Sequence, residues 1–284
     1  MLRRTPLILA LAAALALPVP ASAMGKPSVA ALQVALQSAG LYGGPIDGIA
    51  GRQTRSAVRQ LQKHSGLTVD GIAGPATRRA LGRLGRHPVG SRLLRAGMVG
   101  FDVAALQFAL AWHGFPSGDF DGVFGPRLDA AVRRFQAAER LGADGIAGPA
   151  TRAALREPLP RSPLELAWPV SAPAGERFGP RGSRFHAGVD LIAPRNSHVG
   201  AARAGVVTFA GRHDGFGKLV VVDHGQGVTT YYAHLRRIDV KRGERVETGD
   251  RVGHVGSTGN SSGPHLHLEV RVRDAALDPL TALR

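Results

Sequence analysis

Apolar positions along the chain change period near residue 165. Before that point they recur at helical spacing: Val29, Leu32 and Leu36, then Val58 and Leu61, and 74 residues further on Val103, Leu106 and Leu110, then Val132 and Phe135. After it, short apolar runs such as AGVVTFAG, KLVVVDHG and VTTYYAHL stand between glycines and charged turns, one run every 8 to 12 residues. That cadence predicts an antiparallel β domain with little helix. The chain therefore reads as multidomain α plus β, helical first and β afterwards.

The helical half is a tandem duplication. Residues 29–81 and 103–155 align without a gap and are identical at 28 of 53 positions. Each copy predicts three helices joined by two D-G-x-x-G turns, at 47–51 and 70–74 in the first and 121–125 and 144–148 in the second. The third helix opens on Pro75 or Pro149, and proline is tolerated at the first helical position. In such turns Asp accepts from nearby backbone amides and Gly takes a positive φ. Asp47, Asp70, Asp121 and Asp144 are thus expected to set the turns rather than to touch a ligand. His64, His87 and His113 have no counterpart in the other copy and are assigned to surface or core. Both copies resemble the peptidoglycan-binding domain type that carries this repeated D-G-x-x-G-P-x-T pattern. The resemblance implies small three-helix units that hold the protein on a bacterial wall through a groove between helices.

Arg3 and Arg4, the apolar run from Leu7 to Leu17 and the triplet Ala21-Ser22-Ala23 have the form of a secretory signal peptide cut after Ala23. A spanning helix needs about 20 apolar residues, and this run is about half as long. No integral membrane segment is expected in the mature chain. The expected divisions are a signal peptide at 1–23, repeats at 24–84 and 85–156, a proline-rich linker at 157–168, and the β domain at 169–284. Export to a periplasm or to the extracellular wall follows.

Two features of composition narrow the chemistry. There is no cysteine, which excludes disulfides, a thiolate zinc site and a cysteine nucleophile. The formal charge is +15, spread over both halves, which favours polyanionic partners. For an exported chain these are cell-wall polymers or membrane surfaces rather than nucleic acid.

Eight of the eleven histidines fall in the β half. In the stretch GPHLHLEV, alternation along a strand puts His265, His267 and Glu269 on one face and Leu266, Leu268 and Val270 on the other. The leucine face reads as core. A second pattern, HAGVD, spans His186 to Asp190. Fully extended, it would hold its end residues roughly 13 Å apart at 3.3 Å per residue, so donors to one metal require a bend, which Gly188 permits. Histidine nitrogen and carboxylate oxygen suit a borderline cation such as zinc, and a hydrolytic zinc keeps three protein ligands and one open position. His234 in YYAHL ends another predicted strand. These patterns alone do not say which of His265 and His267 would bind metal.

Residues 178–271 closely resemble the lysostaphin- or LytM-type zinc endopeptidases of bacterial cell walls. The matching pieces are FGPRGSRFHAGVD, TTYYAHL and GDRVGHVGSTGNSSGPHLHLEV, in order and at suitable intervals. The resemblance implies a mainly antiparallel β-sheet metallopeptidase domain with Zn²⁺ as cofactor, His186, Asp190 and His267 as ligands, and His234 and His265 as the catalytic histidines. His265 is the expected general base and His234 the expected stabiliser of the oxyanion. Peptidoglycan is expected as substrate and anchoring ligand, and the protein as a monomer. Two other readings stand beside this one: a wall-binding activator of amidases without activity of its own, and a zinc D,D-carboxypeptidase. His198, His213, His224 and His254 are assigned to turns or packing. Glu269 is either a partner that orients an imidazole or a strand-pairing glutamate.

Overall fold

The computed structural model describes residues 24–284, so the expected signal peptide lies outside the described residues. The first repeat folds as α1 (Pro27–Ser38), α2 (Arg52–His64) and α3 (Pro75–Ala80), and the second as α4 (Phe101–Trp112), α5 (Pro126–Ala138) and α6 (Pro149–Ala154). All four D-G-x-x-G turns are latched in one way. Asp47, Asp70, Asp121 and Asp144 each accept from the backbone amide two residues on, at 2.8 Å. A buried glutamine (Gln33, Gln62, Gln107 or Gln136) donates Nε2–H to that Asp, while its Oε1 accepts from the following Gly amide. The aspartates act on the turns, as expected. The glutamines are identical between copies but escape a reading that looks for apolar periodicity and turn residues alone.

Helix α4 is buried on every side, as an almost wholly apolar helix must be. It packs on α1, and its end abuts the β domain: Gly114 O accepts from Ala276 N, and a Cβ on Gly114 would strike the Ala276 backbone. The repeats therefore lie against the β domain rather than swinging from a tether. The proline-rich linker expected at 157–168 is also shorter than its composition suggests. Leu164 and Leu166 already sit in the β-domain core, and Leu166 pairs with Leu283. Two leucines two residues apart bury one side of an extended segment, even among prolines.

The β domain begins with a hairpin, β1 (Gly179–Arg181) and β2 (Arg184–His186), followed by β3 (Val189–Leu191), β4 (His198–Gly200), β5 (Gly205–His213), β6 (Gly217–Asp223), β7 (Val228–Leu235), β8 (Arg237–Ile238), β9 (Arg245–Val246), β10 (Arg251–His254), β11 (Leu266–Val272) and β12 (Ala275–Leu277). The main sheet runs β12-β11-β7-β6-β5-β9, with β3 also on β11; β4-β10-β8 form a smaller sheet. Every strand pair is antiparallel. One face carries the core, including Val189, Leu191, Val220, Val222, Tyr232, Leu266, Leu268 and Val270. Among the described residues, no helix is long and apolar enough to cross a membrane.

Candidate metal centre

The site is laid out by strand register. On β11, Leu266, Leu268 and Val270 enter the core while His267 and Glu269 point the other way. His267 stands opposite Asp190 on β3, and directly paired residues share a face with Cβ atoms about 5 Å apart. Their Nδ1 and Oδ1 atoms meet at 2.8 Å. His186, at the end of β2, reaches the same point after the chain bends through Ala187 and Gly188. Its Nε2 lies 3.1 Å from Asp190 Oδ1 and 3.0 Å from His267 Nδ1. The bend passes so close to β11 that a Cβ on Gly188 would land on the Leu268 carbonyl and 3.0 Å from His267 Cε1.

His234 reaches the site by an irregularity. Tyr231 and Ala233 of β7 pair with Glu269 and His267, so strict alternation would send His234 into the core and Leu235 toward the site. Instead His234 adopts φ +58°, a left-handed conformation uncommon outside glycine. Leu235 joins the core, and the His234 ring comes to 4.9 Å from His265 and 5.7 Å from His267, centroid to centroid. The bulge re-aims one side chain at the site. His265 Nε2 stands 3.6 Å from Asp190 Oδ1.

The outer partners determine which nitrogen of each ring faces inward. His186 Nδ1 donates to the Arg177 carbonyl at 3.0 Å, and His267 Nε2 donates to Glu269 Oε1 at 3.2 Å. Neutral, the two rings turn the lone pairs of His186 Nε2 and His267 Nδ1 toward a carboxylate oxygen; protonated, they donate to it. Three acceptors at 2.8–3.1 Å require a positive charge among them. Their separations approach the edge of about 3.3 Å implied by tetrahedral coordination at 2.0–2.1 Å. The remaining ring N–H of each histidine is held by a carbonyl or a carboxylate, as metal-ligating imidazoles require. Among the described residues, His186, Asp190 and His267 form the group able to hold an ion, and their donor chemistry fits zinc.

Electrostatics point the same way. Burial opposes ionisation of Asp190, but hydrogen bonds from His186 and His267 outweigh it and hold the carboxyl well below its usual range. Burial lowers the His267 pKa, yet Asp190 and Glu269 together raise it to about 9. Glu269, fully buried, is kept ionised against desolvation by Arg271 and His267. Arg271 in turn lies 4.2 Å from the Tyr231 ring centroid. Burial holds His234 below the ordinary imidazole value, and neighbouring His267 and His265 push in the same direction.

Above these residues opens a cleft of about 320 Å³, whose walls include Arg181, Ile192, Asp214, Phe216, Asn260 and Ser261. The remaining histidines of the domain serve packing. His254 bonds Asp239 and the Asn196 carbonyl and meets His198 edge-on; His224 bridges the Ala204 carbonyl and Thr230; His213 packs on Phe209 and Phe216.

Residues 184–279 match the model of peptidase family M23, and residues 25–81 and 100–155 match that of a putative peptidoglycan binding domain. The chain is 42% identical over 114 residues to the DD-carboxypeptidase/endopeptidase Mpg of Neisseria meningitidis, covering 39% of this chain and 26% of that protein. It is 34% identical over 136 residues to the peptidoglycan DD-endopeptidase ShyA of Vibrio cholerae, covering 45% and 30%. Among solved structures, it is similar to the catalytic domain of the antimicrobial peptidase lysostaphin from Staphylococcus simulans, at 31% identity and a TM-score of 0.36, covering 38% of this chain and 90% of that one. The chain matches only 26 to 30% of the length of the two curated relatives named here. The chain thus carries a peptidase family M23 domain over the histidine-bearing strands, with two putative peptidoglycan binding domains ahead of it.

Proposed function

We propose that the protein is an exported, zinc-dependent endopeptidase that hydrolyses peptide bonds in peptidoglycan stem peptides or cross-bridges, with its repeats on the wall. The observation that carries this reading is the convergence of His186 Nε2, Asp190 Oδ1 and His267 Nδ1 on one point at the floor of an open cleft. Those three residues would hold the ion. When bound, zinc lowers the pKa of water toward about 7 and polarises a carbonyl. The names of the Neisseria and Vibrio relatives favour a bond between two D-centres as the one cut.

The histidine tautomers support a division of labour. His265 donates Nδ1–H to the Gly263 carbonyl at 2.9 Å, so its Nε2 is free to accept the proton of the attacking water. His234 donates Nδ1–H to the Thr258 carbonyl at 2.7 Å, and burial keeps the ring neutral. Its Nε2 therefore starts as an acceptor. It can take the second proton of the attacking water from the tetrahedral intermediate, stabilise the oxyanion with it, and then deliver it to the leaving amine.

The deciding experiment measures zinc in the purified chain and in His267→Ala, together with mass spectrometry of fragments released from sacculi. One zinc per wild-type chain and new amine termini on peptide stems support the reading. Metal-free wild type that still binds wall would point to an amidase activator, and release of free D-alanine alone to a carboxypeptidase.

A further inference from the structure

The hairpin β1–β2 is gripped by both repeats at once. Ile46 N donates to Gly182 O at 3.0 Å, and Phe120 N donates to Ser183 O at 2.7 Å. Ile46 and Phe120 are equivalent positions, 74 residues apart in the duplication. The two copies thus present the same backbone donor to successive carbonyls of one turn, where Gly182 has φ +58°. Asp119 adds a side-chain hold, accepting from Ser183 Oγ at 3.0 Å and from Arg184 Nε at 2.8 Å.

Beneath the turn lies an aromatic contact from the same side. Trp112, the last residue of α4, meets Phe178 at 6.1 Å and Phe185 at 5.4 Å edge-on, and those two rings meet each other at 4.9 Å. One apolar cluster joins Ala30 and Ile46 of the first repeat, Phe108 and Trp112 of the second, and Phe178 of the β domain, with Phe185 packed against it. The clamped segment carries the site. Phe185 precedes His186, and Phe178 follows Arg177, whose carbonyl orients the His186 ring.

We propose that the paired repeats form a two-jawed clamp on the hairpin, and that Trp112 is a positioning residue for His186. The duplication then serves the active site as well as the wall. A single copy offers one donor and one half of the apolar seat. Cleavage of a small soluble muropeptide, which needs no anchoring, depends on the clamp. This inference rests on the hydrolase reading for its kinetic arm only.

The test uses the full-length chain with Trp112→Leu, Trp112→Phe and Asp119→Ala. Hydrogen exchange of amides 179–187 is measured alongside kcat and KM on a soluble cross-linked muropeptide dimer and pelleting with sacculi. In Trp112→Leu, exchange in the hairpin rises at least about tenfold and kcat falls about ten- to a hundredfold, as expected for a displaced reacting group. KM and pelleting hold, and Trp112→Phe recovers most of the rate. Asp119→Ala, a surface change, moves both readouts in the same direction by less, and decides the matter if Trp112→Leu does not fold. Unchanged hairpin exchange, or loss on sacculi with full activity on the dimer, overturns the clamp. A wild type that cleaves neither substrate refutes the hydrolase reading, while the exchange data still report on the clamp.

Discussion

Glu269 accepts the Nε2–H of His267 at 3.2 Å while its second oxygen accepts from Arg271 at 2.6–2.7 Å. The glutamate thus holds the imidazole with its Nδ1 lone pair toward Asp190 and His186. Glu269→Ala leaves the partly buried Arg271 without its carboxylate partner and frees the ring to turn. Zinc affinity is expected to fall about ten- to a hundredfold, measured by competition with a chromogenic chelator. Affinity equal to wild type would remove Glu269 from the site's support.

His265→Ala and His234→Ala take away proton carriers and leave the three converging donors intact. Both variants should retain one zinc per chain while turnover on a soluble muropeptide falls by about 10²- to 10⁴-fold. Loss of zinc from His265→Ala would instead make it a ligand.

The conformation of His234 yields a separate prediction. At φ +58°, a non-glycine residue costs about 1–3 kcal/mol. His234→Gly should therefore unfold no earlier than His234→Ala in a thermal scan, although both lose turnover. Earlier unfolding of the glycine variant would contradict the bulge.

Gly188→Ala places a methyl group on the Leu268 carbonyl. Relief requires the 186–190 bend to lift from β11, separating His186 from His267. A stability loss of about 1–3 kcal/mol and weakened zinc binding should appear together in denaturant titrations with and without metal. A loss of stability with unchanged zinc affinity would mean that the bend adapts elsewhere.

In the second repeat, Gln136 donates to Asp144 at 2.8 Å and accepts from Gly145 N at 2.9 Å. Gln136→Leu keeps the bulk but strands a buried amide, at a cost of about 1–3 kcal/mol. Urea unfolding measures it, and a neutral result would show that the turn holds without its latch.

Much of this was legible along the chain because it is local. Helical spacing around Leu32 and Leu106 with Asp-Gly turns defines the repeats, since both depend on residues within one or two turns of each other. Alternation in GPHLHLEV separates Leu266 and Leu268 from His267 and Glu269, because a strand has a period of two whatever lies beside it. Gly188 marks the bend between His186 and Asp190 for the same local reason.

Tertiary contacts decided the rest. No pattern in YYAHL announces that His234 leaves the strand period, because the bulge arises from pairing with β6 and β11. Pro158, Pro160 and Pro163 read as a proline-rich linker, yet Leu164 and Leu166 are drawn into the β-domain core. The grip of Ile46 and Phe120 on Gly182 and Ser183 joins backbone atoms well over a hundred and over sixty residues apart respectively. Backbone donors carry no residue signature, so only the folded chain brings that contact into being.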